Sequence, residues 1–381
     1  MWFIVGGMLA YPYCKDWKSL VTPDCILALD LDQTCFVSAA GAEKRTIKAT
    51  HIKTGRTKIF RNRTEFWGST KRVVGGWLKD QNANMEVKAK AEGREFTPWG
   101  RDDFLIEDIQ TPEPVENCLH ILKTKINAIF EHLEMESNTG MGVLGGEGNF
   151  RLMLPAPERY KGNREDTLRP LLLQETRDYV TRKYNAKVIN GVEADDYLSV
   201  LAYMGWENYQ KTGKFNYIVA SFDKDQKGNP GLIFDTMRDS EEKTWKHPIP
   251  MLIDDSMGEI WMEGSKVKGW GRKFFGYQML CGDSSDNIKP YQCFDIAGRF
   301  GDTAAFNLIG HLQDEKSMWQ AIINQYKTWF PNGVEFTSWD GTQRKMSAGQ
   351  WASIIFQMVY MKRSANDKTT LSSELRRVGV I

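Results

Sequence analysis

Asn190–Asp196 reads NGVEADD, a turn that delivers three acids, Glu193, Asp195 and Asp196, to the start of a helix-period segment. Ala186–Ile189, just before it, has strand character. Three other acidic groups share this setting: Asp30 in ILALDLD, Asp223 and Asp225 in IVASFDKD, and Asp283 and Asp286 in LCGDSSDN. Carboxylates at the ends of strands meet at one edge of an α/β sheet, where ligands bind. So many like charges repel one another unless a hard divalent cation neutralises them. The pattern predicts a two-metal site suited to phosphodiester chemistry, with the ions ~4 Å apart.

In such a site one ion activates a water and the other stabilises the leaving oxygen. Mg²⁺ keeps several waters, so some carboxylates are expected to act through water. Taken singly each cluster is weak, because an acidic pair after a strand is most often a helix cap or a solvated turn. Asp195 and Asp196 would also suit the positive end of a helix dipole. Four clusters in succession make that bland reading a poor account of the whole.

A length of 381 residues suggests two or three structural units with a substantial core. With 41% hydrophobic and 26% charged residues, the composition is that of a soluble globular protein. Six scattered cysteines without a CxxC pair suggest reduced thiols and a cytoplasmic setting. The apolar N-terminus is too short to span a bilayer and lacks a leading positive region, so it reads as an extension or a docking strand. No membrane partner is expected.

Strand-like runs fall at Cys25–Leu31, Met141–Leu144, Ala186–Ile189, Tyr217–Ala220 and Leu232–Phe234. Helix-period segments, Pro114–Leu133, Thr167–Tyr184 and Ala194–Lys211, lie between them. Alternation of this kind predicts a mostly parallel sheet flanked by helices. Residues 39–111 read as a polar, irregular insertion. From residue 287 the chain turns helical, at Thr303–Leu312, Ser317–Trp329 and Ala348–Lys362. The expected organisation is a discontinuous core (21–38 and 112–286), the insertion (39–111) and a helical lobe (287–381).

GVEADD, SFDKDQ and GDSSDN, in this order, resemble the 5′→3′ nucleases of the flap-endonuclease superfamily, particularly the phage exonucleases. The resemblance covers roughly Cys25–Phe36 and Met141–Leu312. It implies a PIN-like α/β core and hydrolysis that leaves a 5′-phosphate and a 3′-hydroxyl. Two Mg²⁺ (or Mn²⁺) would be held by Asp30, Glu193, Asp195, Asp196, Asp223, Asp225, Asp283 and Asp286, with Asp32 a less certain neighbour. NFRLMLPAPERYKGNR matches the family's basic segment. Lys161 and Arg164 would stabilise charge on the phosphate there, the alternative being surface ion pairs with Glu165 or Asp166. Tyr160 is a candidate to stack on a terminal base, or else a packed tyrosine. The partner implied is duplex DNA with a 5′ end, with RNA–DNA hybrids as a second substrate; no protein partner is indicated.

Three features depart from the family pattern. VLGGEG has Gly145 and Gly146 where relatives often carry an Asp, so one ligand is missing or replaced by Glu147. Only about thirty residues separate Arg164 from Glu193, short for an arch that threads a 5′ flap. The helix–hairpin–helix-like turn is AGRFGDTAA, with Asp302 where a Lys is usual. Asp302 is expected to cap the next helix or to bind a cation. Gly298, Gly301 and Thr303 are expected to meet duplex phosphate there, with K⁺ as the monovalent ion.

Between Lys44 and Val74 ten basic residues face one acid, Glu65. HIKTGRTKIF reads as a hairpin turning at Thr54-Gly55. Arg56, Lys58, Arg61 and Arg63, interleaved with Phe60, Phe66, Trp67 and Trp77, are candidates for DNA contact. The alternative is a solvated basic hairpin with its aromatics packed beneath. Three functions stay open at this point: a 5′→3′ exonuclease of phage replication or recombination, a 5′ flap endonuclease, or a catalytically impaired protein that binds DNA ends.

Overall fold

The computed structural model describes residues 11–69, 74–165, 167–296 and 298–381. Residues 1–10, Lys71 and Arg72 of the basic run, Asp166 and Ala297 lie outside the described residues. The chain begins with β1 (Val21–Asp30), α1 (Asp32–Gly41), β2 (Glu43–His51), β3 (Thr57–Phe60), α2 (Arg63–Trp67) and α3 (Trp77–Ala91). Next come β4 (Phe104–Pro112), α4 (Val115–Leu133), β5 (Gly140–Gly145), α5 (Leu173–Lys183), β6 (Lys187–Ile189) and α6 (Ala194–Thr212). β7 (Phe215–Ser221), β8 (Gly231–Asp235), β9 (Met251–Ile253), β10 (Glu259–Glu263), β11 (Lys266–Trp270) and α7 (Gly271–Cys281) follow. The chain ends with α8 (Asp302–Ile309), α9 (Glu315–Trp329), β12 (Val334–Thr337), β13 (Gln343–Met346), α10 (Ala348–Val359) and α11 (Leu371–Arg377).

Two compact units result. The first comprises the residues up to Thr34, Ile126–Leu168 and Arg177–Ile381. Its main sheet has the order β6-β5-β1-β7-β8-β9, parallel throughout except for β9. Strands covered on both faces must be apolar along their length, and Leu27, Ala28 and Leu29 of β1 are fully buried. Ala194, Leu198, Leu201 and Ala202 of α6 join Ala28, Val143, Val219 and Ile233 in one core layer. This is the mostly parallel, helix-flanked sheet expected of a PIN-like core. The order reverses at β1, so the crevice at the carboxyl ends of β1 and β7 is the topological switch point.

A second core joins Leu154, Ala156 and Tyr160 to the C-terminal helices through Phe274, Ile309, Trp319, Trp351 and Phe356. The basic segment is thereby anchored on the helical part of the same unit. No helix among the described residues is long and apolar enough to cross a membrane.

The second unit, Cys35–Lys125 with Arg169–Thr176, takes in the whole stretch read above as irregular. That reading is corrected: the stretch holds an antiparallel sheet of order β3-β2-β4 with helices α2 and α3. Ile47, Ala49 and His51 alternate inward along β2 while Thr46, Lys48 and Thr50 alternate outward. Phe60, Phe66, Leu78 and Phe104 complete its small core, edged by Trp67, Trp77 and Trp99.

Candidate metal centre

β1 ends on Asp30, whose carboxylate accepts a hydrogen bond from Ser221 Oγ at the end of β7 (2.9 Å). Asp223 and Asp225 follow in the next turn, where Asp223 accepts from the Asp225 N–H (2.8 Å). Glu193 is the N-cap of α6 and places Asp195 and Asp196 in its first turn. Asp283 and Asp286 lie beyond the end of α7. The ends of β1 and β7, the start of α6 and the turn after α7 bring together four groups that are far apart in sequence; the run before Asp283 is the end of a helix and not, as expected, a strand.

The eight carboxylates form two sets. In the first set each has a cationic partner. Glu193 takes Lys161 Nζ (2.6 Å), Asp196 takes Arg151 (2.6 and 2.9 Å), Asp283 takes Lys224 Nζ (2.9 Å) and Asp286 takes Arg164. Tyr160 Oη sits between Glu193 Oε2 (2.9 Å) and Asp286 Oδ2 (2.8 Å) and donates its single proton to one or the other. In the second set, Asp30, Asp195, Asp223 and Asp225 make no ion pair within 4 Å among the described residues.

Burial pushes the Asp30 carboxyl up to about 7, with Asp32 and Asp223 adding to the rise against the Ser221 hydrogen bond. Asp195 is driven well above the carboxylate range by burial, then by Asp223, Asp30 and Glu193. Asp225 rises in the same way through burial, Asp223, Asp283 and Asp286, and Asp223 through burial and Asp286. Each of the four is thus charged only against its neighbours' charge. Burial by itself would lower Lys161, but Glu193 and Asp286 hold it above the ordinary lysine value.

Among the described residues no three His, Cys, Asp or Glu side chains stand in an arrangement that holds a metal ion as it is. The donor set still suits one: it is all oxygen, carboxylate-rich and short of positive charge, which is what Mg²⁺ or Mn²⁺ requires. Lys161 adopts a left-handed conformation (φ 55°), uncommon for a side-chain-bearing residue, and this backbone turns its ammonium toward Glu193. Arg164 remains half-exposed. Neither makes the surface pair with Glu165 considered above; Arg159 does (2.8 Å).

Tyr160 is a correction. It is 2% exposed, so it offers no face to a base and serves instead as a buried bridge between two carboxylates. The glycines of VLGGEG also have a structural cause. A Cβ on Gly145 would lie 2.8 Å from Asp32 Oδ2, and one on Gly146 would lie 2.1 Å from Asn190 Oδ1. Asp32 fills the space of the absent side chain, held by the Gly145 N–H (2.6 Å) and by Arg177. Glu147 is exposed.

At the turn after residue 297, Gly298 carries the positive φ (82°), whereas Gly301 is extended and is the N-cap of α8. The expectation that Asp302 caps this helix is therefore corrected: Asp302 is its first residue, held by Lys266 Nζ (3.0 Å) and the Tyr277 hydroxyl. Lys266 comes from β11 and returns the positive charge that the Asp removes from the turn. Arg299, Phe300, Gly301 and Thr303 line a cleft of about 410 Å³ beside it.

In the second unit the hairpin is formed as read, with Gly55 at φ 67°. Part of its charge is neutralised by ion pairs. Arg63 forms a two-pronged pair with Asp108 (2.6 and 2.7 Å), Lys48 pairs with Glu107 (2.7 Å), Arg45 with Glu43 (2.5 Å) and Arg61 with Glu65 (3.4 Å). Lys44, Lys53, Arg56 and Lys58 form no ion pair among the described residues. The aromatics are packed into the core, and the Lys58 ammonium lies over the Trp77 and Phe60 rings at 5.0 and 5.3 Å.

Sequence reasoning missed Arg151, Ser221, Lys224, Asn229 and Gln278. Arg151 had a signal, a lone cation inside the apolar run FRLML, which is what a buried and paired arginine looks like.

Comparison with protein-family models found no match, and neither did comparison with curated protein sequences. Among solved structures, the chain is similar to a variant of the bacteriophage T5 5′-exonuclease, at 15% identity over 64% of this chain and 80% of that one (TM-score 0.35). It is similar to the T5 5′-exonuclease with bound zinc at 18% identity over 62% and 78% (TM-score 0.34). A T5 flap endonuclease in a pseudo-enzyme–product complex with DNA and metal ions matches at 12% identity over 62% and 89% (TM-score 0.32).

Proposed function

We propose that this chain is a divalent-metal-dependent 5′→3′ nuclease that hydrolyses phosphodiester bonds at the 5′ ends of duplex DNA, and of RNA in RNA–DNA hybrids. One observation carries the reading. Asp30, Asp195, Asp223 and Asp225 are brought to the switch point of the sheet without an ion pair among the described residues, and their burial and mutual repulsion raise their affinity for protons against the partial relief that Lys161 and Lys224 give. A charge deficit of this kind at a ligand-binding edge calls for Mg²⁺ or Mn²⁺. Those four carboxylates are the ones to hold the ions. When bound, the ions supply an activated water and charge stabilisation at the scissile phosphate.

The remaining groups act on the substrate and on one another. Lys161 and Arg164 balance negative charge growing on the phosphate oxygens. Tyr160 holds Glu193 and Asp286 at a fixed separation. Water adds to phosphorus as the P–O3′ bond breaks, leaving a 5′-phosphate and a 3′-hydroxyl. Between Arg164 and Glu193 a single helix, α5, and strand β6 fill the chain, which favours duplex ends over a threaded flap. The cleft at Arg299–Thr303, with K⁺ as its ion, is the site to meet duplex phosphate, and Arg56 and Lys58 belong to a second such surface.

The test is nucleotide release from 5′-labelled blunt duplex and from a 5′-flap substrate, with Mg²⁺, with Mn²⁺ and with chelator. Metal-dependent release, faster from the blunt end, is expected. Faster cleavage of the flap would make the chain a flap endonuclease. Binding of ends without cleavage under any metal would make it an end-binding protein.

A further inference from the structure

Met358–Arg363 leaves the end of α10 and runs behind two of the acidic clusters. Arg151, with no exposed surface, donates Nε to Met358 O (3.0 Å) and Nη2 to Tyr360 O (2.6 Å). The same guanidinium grips Asp196 through Nη1 (2.6 Å) and Nη2 (2.9 Å). Asp196 also accepts the Lys362 N–H (3.2 Å) and the Glu193 N–H (3.2 Å). Four donors occupy its two oxygens, so Asp196 is fully engaged in structure.

Farther along the same segment, Met361 O accepts from Asn229 Nδ2 (3.0 Å), and Arg363 Nε donates to Asn229 Oδ1 (3.1 Å). Asn229 Nδ2 also donates to Ser199 Oγ of α6 (2.8 Å). Asn229 directly follows the turn Lys224–Gly228 that contains Asp225. One six-residue segment therefore reaches both the helix that carries Asp195 and the turn that carries Asp225. Asp367 fixes the segment's far end through the Tyr360 hydroxyl (2.9 Å) and the Arg363 N–H (2.8 Å).

Asp195, Asp223 and Asp225 repel one another, and a metal ion tolerates little error in the spacing of its ligands. We propose that Met358–Arg363 is a strap that sets the spacing between Asp195 and the Asp223–Asp225 turn, with Arg151 and Asn229 as positioning residues and Asp196 as Arg151's partner rather than a ligand. The inference rests on the nuclease reading above. It makes the C-terminal segment part of the metal site although none of its side chains is a ligand. Partners of this indirect kind typically change metal affinity by roughly ten- to a hundredfold when removed.

The experiment uses the full chain without DNA and titrates Mn²⁺ by electron paramagnetic resonance, with kcat and KM on blunt duplex measured in parallel. Asn229→Ala and Arg151→Lys should each weaken Mn²⁺ binding roughly tenfold or more and lower kcat, with KM for duplex unchanged and excess Mn²⁺ restoring part of the activity. Lysine cannot reproduce the two-pronged grip, so Arg151→Lys should not rescue. In the unaltered chain, Mn²⁺ should slow hydrogen exchange of the Lys362 amide, because coupling between strap and metal is reciprocal. Folded variants that bind Mn²⁺ and turn over like the parent would overturn the strap. If neither variant folds, the Lys362 amide decides alone, and unchanged exchange at saturating Mn²⁺ overturns it. A parent chain that binds no Mn²⁺ would instead remove the nuclease reading on which the strap depends.

Discussion

The acidic edge of the main sheet and the basic hairpin of the second unit both read as strongly charged stretches of sequence, and folding treats them in opposite ways. At the sheet edge, strand order gathers like charges from positions as distant as Asp30 and Asp223 and leaves four without an ion pair among the described residues. At the hairpin, β4 brings Glu107 and Asp108 across to Lys48 and Arg63, and part of the ten-to-one excess of cations is neutralised within the fold. A run of charge along a chain says little until its cross-strand neighbours are known. Where neutralisation fails, the residual charge marks the place at which a ligand is wanted.

The comparison is most exposed at Asp195 and Asp223. Asp195→Ala and Asp223→Ala should each lower cleavage on the order of a thousandfold or more while DNA binding persists. Both groups have folded-state pKa values raised above the unfolded ones, so their ionised forms are less stable in the fold than in the open chain. Replacing either by a neutral side chain should therefore raise the metal-free Tm at neutral pH by roughly a few degrees. Activity within tenfold of the parent, or a lower Tm, would mean that these carboxylates are ordinary paired surface groups like those of the hairpin.

His247 tests the same logic where both signs of charge are close. It is nearly buried, 3.7 Å from Asp235, which in turn is paired with Lys227 (2.5 Å). Burial lowers its pKa to about 4, Asp235 opposing and Lys227 assisting. The Tyr13 hydroxyl, itself pushed up to about 12, is hydrogen-bonded to Nδ1 (2.6 Å). With the folded pKa below the unfolded one, the stability due to neutral His247 is complete above about pH 6.5 and is lost as pH falls toward 4. The loss should be at most about 3 kcal/mol, and about 2 after solvent screening. Urea unfolding of the parent and of His247→Gln between pH 4 and 7 measures it; parallel curves would show that burial does not govern this ring.

Much of the main sheet was legible because buried parallel strands must be continuously apolar, as ILAL and IVA are. Most of the acids were legible because they sit where such strands end, but Asp283 and Asp286 follow helix α7, whose apolar end reads like a strand. Their partners were not, since Arg151 and Asp196 lie 45 residues apart and meet only through the fold. In the antiparallel sheet of the second unit the hairpin was read but the long pairing of β2 with β4 was missed, for a different reason. Its β2, EKRTIKATH, alternates correctly, but with lysine and threonine on the open face and only Ile47, Ala49 and His51 inside, so its mean polarity masked the period. Asp302 misled because its compensating cation, Lys266, lies on another element.

The smallest effect concerns the hairpin itself, where paired and unpaired cations should separate. Arg56 and Lys58 have no acidic partner among the described residues, and each phosphate they neutralise adds about 0.9 to the slope of log affinity against log salt. Reversing Arg56, Lys58 and Arg61 together to Glu should therefore flatten that slope by roughly two units, with most of the change traceable to the first two. Arg61 contributes less because Glu65 already competes for it. Arg63→Ala should behave differently. Its half-exposed pair with Asp108 ties α2 to β4, so the loss should appear as up to about 1 kcal/mol of stability with the salt slope unchanged. Salt titrations of duplex binding for the two variants distinguish the roles. An equal change of slope in both would mean that Asp108 yields Arg63 to phosphate, and that the hairpin, like the sheet edge, keeps its charge for a ligand.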